Sequence, residues 1–193
     1  MYRLQGKGRG QEVRLLSIVK KLLWPLVIII AVTLADQLTK LWVTANLDGQ
    51  PPLQIAGDYI RLVLVHNFGG AMGTSFFPSY GYLILSLLML PVLGYYVYRY
   101  SSVGAVVYPL ASICGGAVGN VIDRLRFGKV VDFIDVDVPD INLFGFSLER
   151  WWTFNIADVA ISAGLVWLII YMVFLDSGRR RDTHQEAPSH IHE

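Results

Sequence analysis

The stretch SSVGAVVYPLASICGGAVGNVI, Ser101–Ile122, contains no charged side chain and ends at the charged pair Asp123–Arg124. A helix that crosses a bilayer needs about 20 mostly apolar residues, and this stretch is long enough. Similar segments occur elsewhere in the chain, and the predicted spans are Leu22–Val43, Tyr80–Tyr98, Ser101–Ile122 and Trp151–Leu175. We therefore predict an all-α membrane protein with four transmembrane helices.

The composition agrees with a membrane protein. Of the 193 residues, 54% are hydrophobic and 16% are charged, whereas charged residues make up about a quarter of a soluble domain. The formal net charge of +1 gives no electrostatic reason to expect a nucleic-acid partner. We expect a polar N-terminal segment at 1–19, a single integral-membrane domain at 20–175 and a disordered cytoplasmic tail at 176–193.

The first 35 residues also resemble a signal peptide, with a basic head, an apolar core and small residues, Thr33 and Ala35, at the positions of a cleavage site. However, the basic head is long for a signal peptide, and helix-forming apolar residues resume after Lys40. These two features favour a first helix that is retained in the membrane.

The distribution of Lys and Arg predicts the orientation of the chain in the membrane. Four spans place both termini on one side, and ten of the 16 basic residues lie on that side. The excess predicts cytoplasmic termini. The outer side nevertheless holds Arg124, Arg126 and Lys129 close together, which suggests a local role for these residues.

The links on the outer side are long enough to carry structure of their own. DYIRLVLVH at 58–66 is rich in β-branched and aromatic residues and predicts a strand, and NFGGAMG at 67–73 predicts a glycine-rich turn. We expect a small extramembrane β-structure on the outer, periplasmic face. By contrast, almost no link joins the second and third spans, so these helices form a tight antiparallel pair.

Ionisable side chains at membrane depth are costly and usually mark function. In the predicted orientation they gather at the outer ends of the spans, and they are Asp36, Lys40, Asp123, Arg124, Asp132 and Asp158. Asp36 and Lys40, four residues apart on one helix face, can form an ion pair that is either purely structural or part of a site. Arg124 can hold a carboxylate or a phosphate, or extend to lipid headgroups. Asn120 is an amide in an apolar helix and needs a hydrogen-bond partner in a neighbouring helix.

Asp158 has no basic partner in its own helix, where Asn155 lies three residues earlier on the same face. One loop joins the third and fourth spans, so Asp132 in that loop and Asp158 can meet. Two adjacent carboxylates tend to share a proton, and such a pair can deprotonate an attacking water while protonating a carbonyl oxygen. The chain has no HExxH or nucleophilic-serine motif, and its single cysteine, Cys114, lies in mid-span. Hydrolysis by two aspartates is therefore the amide-cleaving chemistry that the chain can supply, and it requires no metal or cofactor.

Five blocks of the sequence occur together, in one order, in a known family. They are DQLTK at 36–40, NFGGAMG at 67–73, GGAVGNVIDR at 115–124, VVDFIDV at 130–136 and FNIADVAI at 154–161. With the four spans, they resemble the lipoprotein signal peptidase (signal peptidase II) family from the first span to the end of the fourth. Each block alone is a weak signal, whereas the five together are specific.

The resemblance implies an aspartyl endopeptidase of the bacterial cytoplasmic (inner) membrane, which removes the signal peptide from prolipoproteins by cutting just before a diacylglyceryl-modified cysteine. By motif it implies that Asp132 and Asp158 are the catalytic dyad, whereas Asp135 and Asp137 are interpreted as loop charges. The implied supporting or substrate-binding residues are Asp36, Lys40, Asn67, Gly69, Asn120, Asp123, Arg124 and Asn155. The implied partners are the prolipoprotein, membrane lipid and globomycin-type inhibitors. We expect a monomer without metal or cofactor.

Three other functions agree with parts of the pattern. An intramembrane aspartyl protease of the presenilin type would carry a Gly-x-Gly-Asp block, which the sequence lacks. A proton-coupled carrier would continue its polar residues to the inner face, where the second, third and fourth spans have few. A non-catalytic assembly factor would tolerate Asn in place of Asp132 and Asp158.

Overall fold

The computed structural model describes the backbone of residues 5–70, 74–143 and 146–176, and the side chains of residues 16–70, 74–140 and 150–175. Residues 71–73 of the predicted glycine-rich turn and residues 177–193 of the predicted disordered tail lie outside the described residues. In chain order the elements are α1 Gln5–Leu47, β1 Leu53–Ala56, β2 Ile60–Asn67, α2 Ser79–Arg99, α3 Gly104–Phe127, β3 Val130–Leu143, β4 Phe146–Arg150 and α4 Ile156–Ile170. The last helix continues as a π-helical turn, Tyr171–Asp176.

Within the described residues, four helices are long and apolar enough to cross a membrane, which confirms the predicted spans. Their limits are Leu16–Leu47, Ser79–Arg99, Gly104–Phe127 and Ile156–Leu175. Several ends differ from the prediction by a few residues, and at two of them a capping residue explains the difference. The third helix continues through Asp123 to Phe127, where Gly128 in the left-handed conformation ends it. The fourth begins at Ile156 rather than Trp151, because Asn155 caps its first turn.

The central helix is α3, which packs against each of the other three helices. About half of its span is buried inside the protein, against 6% for each of the other spans. Glycines allow this close packing, as small residues do between membrane helices. A Cβ atom at Gly115 would lie 2.9 Å from the carbonyl oxygen of Ile29 in α1, and one at Gly116 would lie 2.5 Å from that of Ala157 in α4. The buried Cys114 beside them agrees with its predicted position in mid-span.

The extramembrane part is an antiparallel sheet with the strand order β1-β2-β3-β4. The strand predicted at 58–66 is confirmed as β2, which pairs with β3 in a register that places Arg61 opposite Asp135 and Val65 opposite Asp132. The sequence indicated only a short strand-like run around Asp132, whereas β3 is 14 residues long. The loop between α3 and α4 therefore supplies half of the strands.

A small apolar cluster joins the sheet to the helices. Phe133 of β3 is 4% exposed and packs with Val43 and Leu47 at the end of α1. Side chains with these exposures transfer most of their apolar surface out of water. The sheet therefore rests on the end of the bundle, and the residues beside Phe133 in β3 are held at the ends of the helices.

The variant Gly116→Ala should destabilise the bundle, because the added methyl group would meet the Ala157 carbonyl oxygen at 2.5 Å and Ile161 Cγ1 at 2.9 Å. We expect a loss of about 1–3 kcal/mol, measured as a lower midpoint of thermal unfolding in detergent by tryptophan fluorescence. Gly94→Ala is the matched control, since a Cβ there meets nothing within 4 Å. Equal midpoints for the two variants would contradict the close contact between α3 and α4.

Candidate active site

The ammonium group of Lys40 lies in the interior of the protein, with 3% of the residue exposed. Its Nζ lies 2.8 Å from Asp36 Oδ2 and 2.9 Å from Asp123 Oδ2, and it donates to Asn120 Oδ1 at 3.0 Å. An ammonium group has three N–H donors, so each of them has an acceptor. The predicted Asp36–Lys40 ion pair forms, and it is part of a network that joins α1 to α3.

Gln37 completes this network, although it is not among the predicted site residues. Its Nε2 donates to Asp123 Oδ1 at 2.9 Å. Asp36 also accepts from the backbone N–H of Ala157 in α4 at 3.0 Å, and Asp123 accepts from that of Val131 in β3 at 3.1 Å. The network therefore fixes three helices and one strand. Gln37 lies inside the DQLTK block, but its partner in α3 is 86 residues away, so local spacing gave no sign of its role.

Asp132 extends from β3 beside this network and is 2% exposed. Its Oδ1 accepts from Asn155 Nδ2 at 2.7 Å, and its Oδ2 accepts from Asn67 Nδ2 at 2.8 Å. Burial is the main reason that the pKa of Asp132 is raised to about 6; the two amide hydrogen bonds lower it, and the charge of Asp158 raises it. Asp132 can therefore hold or release a proton close to neutral pH.

Asp158 lies in the first turn of α4. Its Oδ1 accepts from Asn120 Nδ2 at 3.0 Å, and its Oδ2 accepts from the backbone N–H of Asn155 at 3.2 Å. In return, the Asn155 side chain accepts from the backbone N–H of Asp158 at 3.0 Å, which completes a capping box. The prediction put Asn155 and Asp158 on one face of a helix. The structure instead makes Asn155 the N-cap, where its side chain is free to turn toward β3.

Asn155 joins the two carboxylates. Its side-chain amide donates to Asp132 and its backbone amide donates to Asp158, and the residue is fully buried. Asp132 and Asp158 thus come together from two different elements, as predicted. Hydrogen bonds and ion pairs also connect every other predicted site residue to this pair, namely Asp36, Lys40, Asn67, Gly69, Asn120, Asp123 and Arg124.

The loop after β2 is held against the pair by Asn67 and Arg124. Asn67 Oδ1 accepts from the backbone N–H of Gly69 at 2.8 Å, and Arg124 Nη2 donates to the carbonyl oxygen of Gly69 at 3.0 Å. The guanidinium carbon lies 5.8 Å from the centre of the Tyr82 ring. A Cβ at Gly69 would collide with the carbonyl oxygen of Thr74, so only glycine fits here. Arg124 is thus directed at the loop beside Asp132.

A cleft of about 870 Å³ gives access to Asp132. Its walls combine strand residues of β2 with aromatic side chains, and they include Val63, Val65, Phe68, Phe77, Trp151 and Trp152. A largely apolar cleft with a few polar groups is typical of a ligand site. Within the described residues, no group of three or more His, Cys, Asp or Glu side chains could hold a metal ion.

Asp135 is not a loop charge, contrary to our interpretation of the sequence. It lies in β3, is 6% exposed, and contacts Arg61 Nη2 at 2.7 Å and Arg150 Nε at 2.8 Å. Burial raises the pKa of Asp135, but the two arginines outweigh this effect and hold it below its usual range. Asp137 is also in β3 and contacts Arg150 at 3.2 Å. These contacts depend on strand register, which the sequence pattern did not specify.

Comparisons with known proteins agree on one family. Residues 28–174 match the family described as Signal peptidase (SPase) II. The lipoprotein signal peptidase of Pelodictyon phaeoclathratiforme is 36% identical over 146 residues, which cover 75% of this chain and 86% of that protein. The lipoprotein signal peptidase of Clostridioides difficile is 34% identical over 165 residues, which cover 82% of this chain and 100% of that protein.

Two solved structures share the fold. A bacterial membrane enzyme solved by the in meso method at 2.3 Å resolution matches with a TM-score of 0.66 and 24% identity, over 87% of this chain and 94% of that chain. Another, solved by the same method at 1.9 Å, matches with a TM-score of 0.61 and 25% identity, over 78% and 93% of the two chains. This chain therefore shares its arrangement of four apolar helices and a small sheet with two bacterial membrane enzymes.

The variant Lys40→Met should strongly destabilise the protein, because it leaves the carboxylates of Asp36 and Asp123 buried without their cation. Removing one partner of a buried pair costs about 3–5 kcal/mol. The measurement is unfolding of the detergent-solubilised protein by added denaturing detergent, followed by circular dichroism. Lys129→Met is the control, since the Lys129 ammonium group lies over the Phe68 ring and is only half-buried. If both variants unfold at the same denaturant fraction, the Lys40 network does not stabilise the bundle.

Proposed function

We propose that this chain, which belongs to the signal peptidase II family, removes the signal peptide from diacylglyceryl-modified prolipoproteins by cutting just before the lipidated cysteine. The observation that carries the proposal is the pair Asp132 and Asp158, which Asn155 holds together at the end of a membrane-spanning helix. The chain is a multi-pass bacterial membrane protein of a family of aspartic peptidases. We infer the substrate, the bond that is cut and the residues that cut it from the site.

The depth of the pair fits such a substrate. Acyl chains anchor a diacylglyceryl cysteine in the hydrocarbon layer, and the signal peptide before it crosses the bilayer as an apolar helix. The scissile bond must then lie near the membrane surface, where water can reach it. Asp158 is in the first turn of α4, and Asp132 is in the adjoining strand β3. Both carboxylates would therefore lie at the depth of the scissile bond. In the orientation predicted from Lys and Arg, both termini are cytoplasmic and the pair faces the periplasm.

The proposed chemistry needs one shared proton. Asp132, whose pKa is raised to about 6, holds the proton and donates it to the carbonyl oxygen of the scissile bond. Asp158 takes a proton from the attacking water, which adds to the carbonyl carbon and forms a gem-diol. In the second step Asp158 returns its proton to the leaving nitrogen, and a hydroxyl of the diol returns one to Asp132. The C–N bond breaks, and the pair regains its starting protonation.

The surrounding polar residues have distinct proposed roles. Asn67, Asn120 and Asn155 donate to the two carboxylates and fix which oxygen faces the substrate. Arg124 and Gly69 shape the loop over the pair. Membrane lipid surrounds the helices, and inhibitors of the globomycin type would compete with the prolipoprotein for the cleft. The protein is proposed to work as a monomer without metal or cofactor.

Asp132→Asn and Asp158→Asn should each reduce cleavage of a diacylglyceryl-modified prolipoprotein by about 10³-fold or more, because each removes one member of an acid–base pair. Asn keeps the shape and removes the titrating group. Loss of the signal peptide from the substrate is followed on a gel with protein in detergent. Asp137→Asn is the control, since its carboxylate is 37% exposed and its ion pair is with Arg150. Cleavage that survives in both dyad variants would rule out the proposed roles.

The same assay tests the substrate class. The unmodified prolipoprotein should be left intact by the wild-type protein at enzyme concentrations that cleave the diacylglyceryl form, because it lacks the acyl chains that hold the cysteine at this depth. Equal cleavage of the two forms would contradict the lipid requirement. No cleavage of either form by the folded wild-type protein would contradict the proposed function as a whole.

A further inference from the structure

We propose that Asp135, held by Arg61 and Arg150, is a positioning residue that sets the two amide side chains on Asp132. We call the three residues the Asp135 junction. The inference rests on the proposed function, because it assigns a role within that same site. None of the three lies among the predicted site residues.

Two carboxylates of β3, Asp132 and Asp135, are each held by the same two neighbouring segments. Asp132 accepts one hydrogen bond from Asn67, at the end of β2, and one from Asn155, at the start of α4. Asp135 accepts from Arg61, in β2, and from Arg150, at the start of the segment that leads to α4. Two segments, β2 with its end at Asn67 and the stretch from Arg150 to Asn155, therefore each contact β3 twice. Each donates from a neutral amide to Asp132 and from a charged guanidinium group to Asp135.

The segment from Arg150 to Asn155, which we call the strap, is tied to β3 along its length. The backbone N–H of Trp151 donates to the carbonyl oxygen of Val136 at 2.9 Å, and that of Phe154 donates to Ile134 at 3.1 Å. At one end of the strap the Arg150 guanidinium binds Asp135; at the other the Asn155 amide binds Asp132. The strap can slide along β3 only if both ends move.

The charged end is the stronger of the two attachments. Asp135 is 6% exposed and receives its hydrogen bonds from guanidinium groups: Arg61 Nε at 3.0 Å and Nη2 at 2.7 Å, and Arg150 Nε at 2.8 Å. Hydrogen bonds between charged groups are about twice as strong as those between neutral groups. Arg150 Nη2 also donates to the carbonyl oxygen of Asp58, which extends the junction to the turn between β1 and β2. Asp135 thus connects β2, β3 and the strap through one carboxylate.

Removal of the Asp135 charge would release β2 and the strap from this common anchor, and the amides of Asn67 and Asn155 would no longer be held at their present distances. Displacement of a catalytic group by about 1 Å can cost about 100-fold in rate. The amide hydrogen bonds lower the pKa of Asp132, so loosening them raises it. A residue that only stabilised the fold would change neither the pKa nor the rate of the folded protein.

The test compares Asp135→Asn with Asp137→Asn, which removes a carboxylate from the same strand and the same arginine. Two quantities are measured on folded protein in detergent: kcat and KM for a diacylglyceryl-modified prolipoprotein, and the midpoint of Asp132 protonation from ¹³C-carboxyl NMR. Asp135→Asn should lower kcat about 10- to 100-fold with KM changed less than threefold, and raise the Asp132 midpoint by about one unit. Asp137→Asn should change kcat less than threefold and leave the midpoint in place.

Two further variants keep the proposal testable if Asp135→Asn folds poorly. Asp135→Glu keeps the charge and should recover most of the lost kcat. Arg150→Gln releases the strap and the turn between β1 and β2 but leaves Arg61 bound to Asp135. It should therefore show part of the same loss, and its effect should not add to that of Asp135→Asn in the double variant. Full additivity would contradict a shared junction.

The outcomes separate the inference from the proposed function. If the wild-type protein cleaves the substrate while Asp135→Asn keeps its kcat and its Asp132 midpoint, the inference is wrong and the function stands. A raised KM with unchanged kcat would also overturn the inference, because it would make Asp135 a substrate contact. If the wild-type protein does not cleave but the Asp132 midpoint still rises in Asp135→Asn, the positioning role stands and the proposed function fails.

Discussion

A buried ammonium group and two carboxylates lie where α1, α3 and α4 meet. The positions of these helices depend on keeping the buried charges paired. Burying an isolated charge in an apolar interior costs on the order of several kcal/mol. Lys40 must therefore keep Asp36 and Asp123 within hydrogen-bonding distance. That requirement sets the rotation of α1 against α3, and the hydrogen bond from Ala157 to Asp36 extends it to α4. Gly119 serves the same contact, because a Cβ there would collide with the Asp36 carboxylate.

This network reaches the proposed dyad through amides. Asn120 accepts a hydrogen bond from Lys40 and donates one to Asp158, so a flip of its amide would put a donor against Lys40 and an acceptor against Asp158. Asn155 continues the chain of contacts to Asp132. Amides do not titrate, and they lie between the ion pairs that hold the helices together and the carboxylates that are proposed to exchange protons. In the proposed mechanism, a proton moves between Asp132 and Asp158 while the ion pairs of the bundle stay intact.

The sequence predicted the features that depend on local periodicity and chain connectivity. The Asp36–Lys40 pair followed from their spacing of four residues, and the meeting of Asp132 and Asp158 followed from the single loop between two spans. Features that depend on pairing between distant segments were missed. The partners of Asp135 are set by the register of β2 against β3 and by the strap, and an alternation of Asp with apolar residues is equally compatible with a loop.

Asp132 and Asp158 are proposed to act as one coupled pair, and the most direct test is the ¹³C-carboxyl titration of Asp132 with and without the charge of Asp158. In the wild-type protein the midpoint should lie near the pKa of about 6 that burial and the Asp158 charge produce. Asp158→Asn removes that charge, so the Asp132 midpoint should fall. A midpoint that is the same in both proteins would mean that the carboxylates do not interact, and the shared-proton chemistry would then be contradicted.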